Sequence, residues 1–320
     1  MENRKPDLIA ATRLAFDRMK TILFRPFDLG KWFALGFTAW LATLLEGGGS
    51  FNSSTSSSDS TSEESFSEMV ETARGWIEEN FEMILTIGSI VFVILLVFGL
   101  VITWVRSRGK FMFLDNTVQN RALIAHPWGE FKKEGNSLFF WMLIYGFVFF
   151  LLFSCLAAGA IMISWPMLEA ENFDMETLPT LISLGVGTLL LGLVASYIFM
   201  LLENFVIPMM YRDRLRAGEA WSRVLAVHSQ NFWQFVLFYL WMLVLGLGTG
   251  ILVLVLVLAT CCIAGIILAI PYLGAVLQLP LTVFYRMLGP EFLRQFGDEF
   301  DVFSVATPPS PILPEGDSMG

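Results

Sequence analysis

The chain is 320 residues long, 55% apolar and only 15% charged, with 30 Phe, 15 Met and 10 Trp and a mean hydropathy of +0.65. Soluble domains carry about 25% charged residues, so this composition excludes an ordinary soluble domain and makes lipid much of the solvent. A net charge of −9 with no basic stripe excludes nucleic acid as a partner, because phosphate binding needs clustered Lys and Arg.

In chain order, residues 1–28 read as a cytoplasmic amphipathic segment. At 100° per residue Leu8, Ile9, Ala11, Ala15, Phe16, Met19, Ile22 and Leu23 share one half of a helix. Arg13, Asp17, Arg18, Lys20 and Thr21 share the other half, and Asp7 is a fitting N-cap. A basic amphipathic helix ahead of a membrane span is expected to lie on the inner leaflet, with packing beneath the bundle as the alternative. The charged opening is unlike a short basic leader, which argues against a cleaved signal peptide.

Residues 29–297 read as an all-α membrane domain. A span needs about 20 apolar residues, and six are expected, near residues 32–45, 83–105, 138–164, 181–207, 235–258 and 263–285. The first is short and relies on Lys31 snorkelling to the headgroups. The last two come from dividing one long apolar run at Thr260, Cys261 and Cys262. These two cysteines and Cys155 sit in apolar runs and read as helix packers, not as a disulfide framework. The Ser-rich stretch 47–65 has no apolar period and is expected to be a disordered outer loop. After it, Ser65 and Glu68 resemble a capping box, opening a helix through Phe66, Met69, Val70, Ala73 and Ile77. Residues 298–320, Pro-rich toward the end, are expected to form a disordered cytoplasmic tail.

Charge placement orients this threading. Every one of the 20 basic residues except Arg74 falls on one side of the six-span arrangement, and Lys and Arg concentrate on cytoplasmic loops. Nine acids between Glu46 and Glu82 and four between Glu169 and Glu176 fall on the other. Both termini are therefore expected in the cytoplasm, with an even number of crossings. The mildly basic inner face suits anionic lipid headgroups.

Both large cytoplasmic loops contain a matching hexamer, Arg121-Ala-Leu-Ile-Ala-His126 and Arg223-Val-Leu-Ala-Val-His228, holding the only two histidines. Asn136 and Asn231 then precede aromatic spans, although their spacing from His differs. The pattern suggests a parallel internal repeat, in which spans two and three with their elbow correspond to spans four and five.

No nucleophile–base set, metal-ligand spacing or phosphate cradle emerges, so no catalytic, cofactor-binding or metal residue is assigned and no cofactor is expected. Gly246 and Gly250 read as a small-xxx-small approach between helices. His126 and His228 form a candidate cytoplasmic loop site without a carboxylate or Cys at ligand spacing. The second candidate lies inside a span: Glu203 and Asn204 with the helix-weakening Pro208, and Gln278 as a polar partner from the last span. Charged residues at such depth face a partner or a cavity. The two readings of Glu203 are pairing with an Arg or a helix end, and a proton or cation relay.

Glu203-Asn-Phe-Val-Ile-Pro-Met-Met-Tyr-Arg212, Glu219-Ala-Trp221, Asn231, Pro280 through Phe284-Tyr-Arg286, and Phe292-Leu-Arg-Gln-Phe-Gly297 together resemble an uncharacterised prokaryotic multi-span membrane protein family. That family is related to the membrane domain found beside glycerophosphodiester phosphodiesterases. The resemblance runs from about Pro26 to Gly297 and implies a multi-pass plasma-membrane protein. It carries over no activity or catalytic residue, and the phosphodiesterase domain itself is absent.

These readings favour a non-enzymatic scaffold or accessory subunit with membrane lipids as partners, and with a protein partner or homo-oligomer open. The alternative is a small transporter or channel using Glu203. A third reading, a membrane-embedded lipid enzyme, requires His126, His228, Asp115 and Glu130 to converge. A solid apolar bundle favours the first, and a cavity lined by Glu203 the second.

Overall fold

The structure, a computed structural model, describes residues 6–44, 75–76, 79–169, 178–260 and 263–306. Among the described residues there is no strand, so the all-α expectation holds. The Ser-rich stretch 47–65, most of the helix expected after it, Cys261, Cys262 and residues 307–320 lie outside the described residues.

Helix α1 (Leu8–Phe24) starts where expected, with Asp7 Oδ1 accepting from the Ile9 and Ala10 amides at 2.8 and 3.2 Å. Its apolar half is turned inward rather than toward lipid. Ala11, Ala15, Met19, Ile22 and Leu23 are buried, while Ile9 and Phe16 stay exposed. Helix α2 (Leu29–Ala42) is capped by Asp28 and holds the Phe24 and Phe27 rings against Trp32.

Among the described residues four helices are long and apolar enough to cross a membrane: α3 (Phe81–Val118), α5 (Lys132–Glu169), α6 (Leu178–Asp213) and α8 (Phe232–Ala259). Six spans were expected, and two fail for physical reasons. Helix α2 has only 14 residues, roughly 21 Å at 1.5 Å per residue. The 263–285 stretch is cut into α9 (Ile263–Ala269), α10 (Pro271–Leu277) and the start of α11 (Leu279–Leu293). Pro271 and Pro280 lack the amide a continuous helix needs and so restart it at N1 or N2. The segment still returns alongside α8. Val257 lies against Gly265, and the Thr249 hydroxyl meets the Tyr285 hydroxyl at 2.9 Å.

Each long helix has two regimes. In α3 the side chains from Phe81 to Val97 point outward, with Phe92 at 63% and Leu95 at 62% exposure. Apolar side chains displayed in that way are satisfied by hydrocarbon, not water. From Gly109 through Val118 the same helix is buried. The sequence expectation ended the span near residue 105 and placed Arg106 to Lys133 in a loop, whereas α3 continues another three turns. It packs there against the buried stretch Met200–Tyr211 of α6 and against α11.

The two hairpins share an order: long helix, short helix, long helix. α3 leads through α4 (Ala125–Glu130) to α5, and α6 leads through α7 (Ala217–Gln230) to α8. In both, the hexamer arginine returns to an aspartate of the preceding long helix. Arg121 meets Asp115 at 2.7 Å and Arg223 meets Asp213 at 2.5 Å. Gly297 is followed by two 3-10 helices, Asp298–Phe300 and Val302–Ala306. Arg212 donates to the Asp301 and Asp298 carbonyls there, and Val302 is fully buried. These turns occupy part of the segment expected to be disordered.

Candidate functional site

The site grows from a local defect in α6. Pro208 has no amide to give the Asn204 carbonyl, and its ring would strike that carbonyl in a regular helix. The chain answers with a π turn over Leu202–Val206, in which Ile207 donates to the Leu202 carbonyl. One extra residue in a turn re-aims the side chains around it. Asn204 is buried and its amide bonds the Met200 carbonyl at 3.1 Å, leaving the adjacent Glu203 to face α3 and α11.

Two cations meet that carboxylate. Lys110 of α3, 1% exposed, pairs with Glu203 Oε1, and Arg286 of α11 pairs with Oε2 at 2.9 Å. Arg286 also donates to the Lys110 carbonyl at 2.9 Å, so one guanidinium ties three helices together. Arg106 is near enough to act electrostatically on Glu203. The close approach is possible because Gly289 has no side chain: a Cβ there would stand 2.3 Å from the Asn204 carbonyl oxygen. Among the named members of the cluster, positive charge exceeds negative.

A cavity of about 730 Å³ opens beside this cluster, between α6, α8 and α11. Glu203, Asn204 and Arg286 line it, as does Gln278 at the break between α10 and α11. That volume lies within the roughly 300–1,000 Å³ of small-molecule sites. On α8 the lining residues Tyr239, Met242, Gly246, Gly250 and Val253 recur at helical spacing. They form one face roughly 21 Å long at 1.5 Å per residue. Leu243, also on the wall, is 43% exposed, so the cavity is open at the side that α8 turns outward. Interrupted helices at membrane depth are tolerated where they line a cavity, and the Gln278 break does so.

The other polar groups are engaged differently. Asp115, fully buried, is held by Arg121, by the Tyr211 hydroxyl at 3.0 Å and by Gln119 at 3.1 Å. Glu291, also fully buried, pairs with Arg18 of α1 and with Arg294. His126 is exposed beside Glu130 at 3.2 Å, and Glu130 also takes Arg214. His228 instead meets the Tyr197 hydroxyl at 2.7 Å and packs on Phe232 and Phe235. Partial burial pushes the His228 imidazole below its ordinary value. The two histidines therefore have separate partners, and the set expected of a lipid enzyme is divided among separate contacts. Among the described residues no group of three or more His, Cys, Asp or Glu could hold a metal ion.

Of the intramembrane candidates, the structure brings Glu203, Asn204 and Gln278 to one cavity, and Pro208 shapes the turn. Lys110 and Arg286 were missed because both were counted as loop or terminal charges. The available signal was the continuing helical spacing of Phe111, Leu114 and Val118 after Lys110, with Arg286 closing an otherwise apolar run.

Among the described residues four helices have the length and composition to span a membrane, which is consistent with a helical membrane protein. The chain belongs to a family of unknown function (DUF7544), which matches residues 8–293. The match carries no link to the phosphodiesterase-associated membrane domain. No curated protein and no solved structure matches the chain.

Proposed function

We propose that this protein is a multi-pass membrane protein that binds a small molecule in the cavity beside Glu203, as the binding step of a small transporter or carrier. The observation carrying this reading is the cavity itself: about 730 Å³, bounded by Glu203, Asn204, Gln278 and Arg286, where a scaffold would be served by a solid bundle. Its opening beside Leu243 offers lateral entry from the bilayer. The placement of both termini inside rests on the distribution of Lys and Arg, and placement in a prokaryotic plasma membrane rests on the family resemblance of the sequence motifs. The kinship to phosphodiesterase-associated domains rests on the motifs from Glu203 to Gly297.

Gly246 provides the test. It lines the cavity, and a Cβ there meets no atom within 4 Å, so Gly246→Trp puts a large ring into the cavity from the α8 wall while leaving every charged residue of the cluster in place. The protein is released from its own membrane and weighed by native mass spectrometry. A small molecule retained one-to-one by the wild type and lost from Gly246→Trp supports the reading. No adduct on either protein, or the same adduct on both, contradicts it, and a stoichiometric protein partner without a small molecule favours the accessory subunit.

A further inference from the structure

The choice between a cation and an anion at this cavity is settled by what already surrounds Glu203. A proton or cation relay needs a carboxylate with unspent negative charge. Glu203 instead has both oxygens taken, one by Lys110 and the other by Arg286 at 2.9 Å, with Arg106 acting on it as well. A further positive charge brought to this point would be repelled by the cluster. An arriving anion would be attracted.

Arg286 also holds a donor in reserve. Its side chain is only 9% exposed and lines the cavity. One terminal nitrogen reaches Glu203 and the other reaches the Lys110 carbonyl, while Nε is buried without a hydrogen-bond partner. Nε is out of reach of the cavity as the helices stand, but the guanidinium carries five N–H donors, and the terminal nitrogens that hold Glu203 and the Lys110 carbonyl can share further donors with an acceptor in the cavity that Arg286 lines. Away from this end the wall is apolar, with Met242, Leu243, Val253 and Leu281 along the 21 Å face of α8 described above. The shape is long, greasy and open to the side, with a cationic group at one wall.

The geometry points to an anionic amphiphile as the ligand, a single apolar chain ending in a carboxylate or phosphate, with its head on Arg286 and its chain along α8. This inference rests on the cavity reading above. In it, Glu203 is a tethered competitor. Its carboxylate occupies the cations that the ligand head would otherwise share, so removing its charge strengthens binding instead of abolishing it. That sign separates an anion site from a cation site.

The probe is palmitate bearing a fluorescent anthroyloxy group, titrated into the full chain in phosphatidylcholine nanodiscs. Palmitate, lysophosphatidate, methyl palmitate and hexadecyltrimethylammonium serve as competitors. Saturable binding is expected, with palmitate or lysophosphatidate displacing the probe at least tenfold better than the neutral ester or the cation, and the stronger of the two identifying the head group. Glu203→Gln is expected to tighten the probe at least threefold, Arg286→Gln to weaken it at least tenfold, and Arg286→Lys to weaken it less. Equal competition by the neutral ester, preference for the cation, no saturable binding, or loosening by Glu203→Gln overturns the anionic assignment. Should neither charge variant give a monodisperse protein, the wild-type competition series decides alone. Saturable binding without charge preference, lost in Gly246→Trp, leaves the cavity reading standing while removing this one, so the two failures are distinguishable.

Discussion

Gly289 is the hinge point of the charged cluster, and filling it tests how the cluster is built. It lies three residues beyond Arg286 on α11, and its partner Asn204 is adjacent to Glu203. A Cβ at 289 would stand 2.3 Å from the Asn204 carbonyl oxygen, 2.7 Å from its Cβ and 2.8 Å from its Cα. Two of these are backbone atoms that no rotamer change can move, so α6 and α11 must separate by about 1 Å. Overpacking of this kind costs about 1–3 kcal/mol, at the upper end when backbone is struck. Replacing Gly by Ala in a helix returns up to about 1 kcal/mol, so Gly289→Ala is expected to destabilise by about 2 kcal/mol. Gly246→Ala, with no atom within 4 Å, gains the propensity term alone. Reversible unfolding in mixed micelles, titrated with a denaturing detergent, should place the two variants on opposite sides of the wild type, about 3 kcal/mol apart. If Gly289→Ala matches Gly246→Ala, the close crossing of α6 and α11 is wrong.

Other outcomes follow from the same contacts. Gly109→Val drives a side chain into the α2 backbone, where a Cβ would already lie 2.8 Å from the Leu41 carbonyl carbon. It should cost about 3 kcal/mol in the same titration, and an unchanged midpoint would refute the α2–α3 packing. Asp115→Ala strips a fully buried carboxylate from Arg121 and Tyr211. Arg121, left without its carboxylate, is partly exposed and can be hydrated, so the loss is expected nearer the about 1–3 kcal/mol of an unsatisfied buried hydrogen-bond partner, and Asp115→Asn should recover part of it. His228 titrates low because burial disfavours its charged form. Its contribution is present above about pH 6.5 and is lost as pH falls through the lower folded-state value. Unfolding midpoints at pH 7.5 and pH 5 should therefore diverge less in His228→Gln than in the wild type, and an identical divergence would count against this assignment.

The sequence carried the helical class because apolar runs of spanning length leave no other structure, and it carried the α1 cap because Asp7 precedes a clean 3.6-residue period. It pointed to Glu203 because a carboxylate in hydrocarbon demands a partner. Its partners are hidden by their place at the ends of apolar runs. Lys110 and Arg286 were read as markers of sidedness, and a marker placed in a loop is not then sought in a core. The extension of α3 past residue 105 was obscured in the same way, since Arg106, Arg108 and Lys110 break its apolar run without breaking its helix. The sixth span failed through Pro271 and Pro280, two residues that strongly apolar neighbours outweigh in a hydropathy window but that the backbone treats as stops. The cavity had no sequence signal, because it is set by how far α8 stands from α6 and α11. Gly246 and Gly250, read as a close helix approach, instead face open space where a Cβ would meet nothing.

The most direct test of the ligand site is electron cryomicroscopy of the protein in phosphatidylcholine nanodiscs, with and without a palmitate brominated along its chain. Added density is expected between α6, α8 and α11 only in the loaded sample, with the head within about 3 Å of a terminal nitrogen of the Arg286 guanidinium and the bromine signal beside Gly246 and Val253. Identical density in both samples, or helices closed together with no space between them, would contradict it.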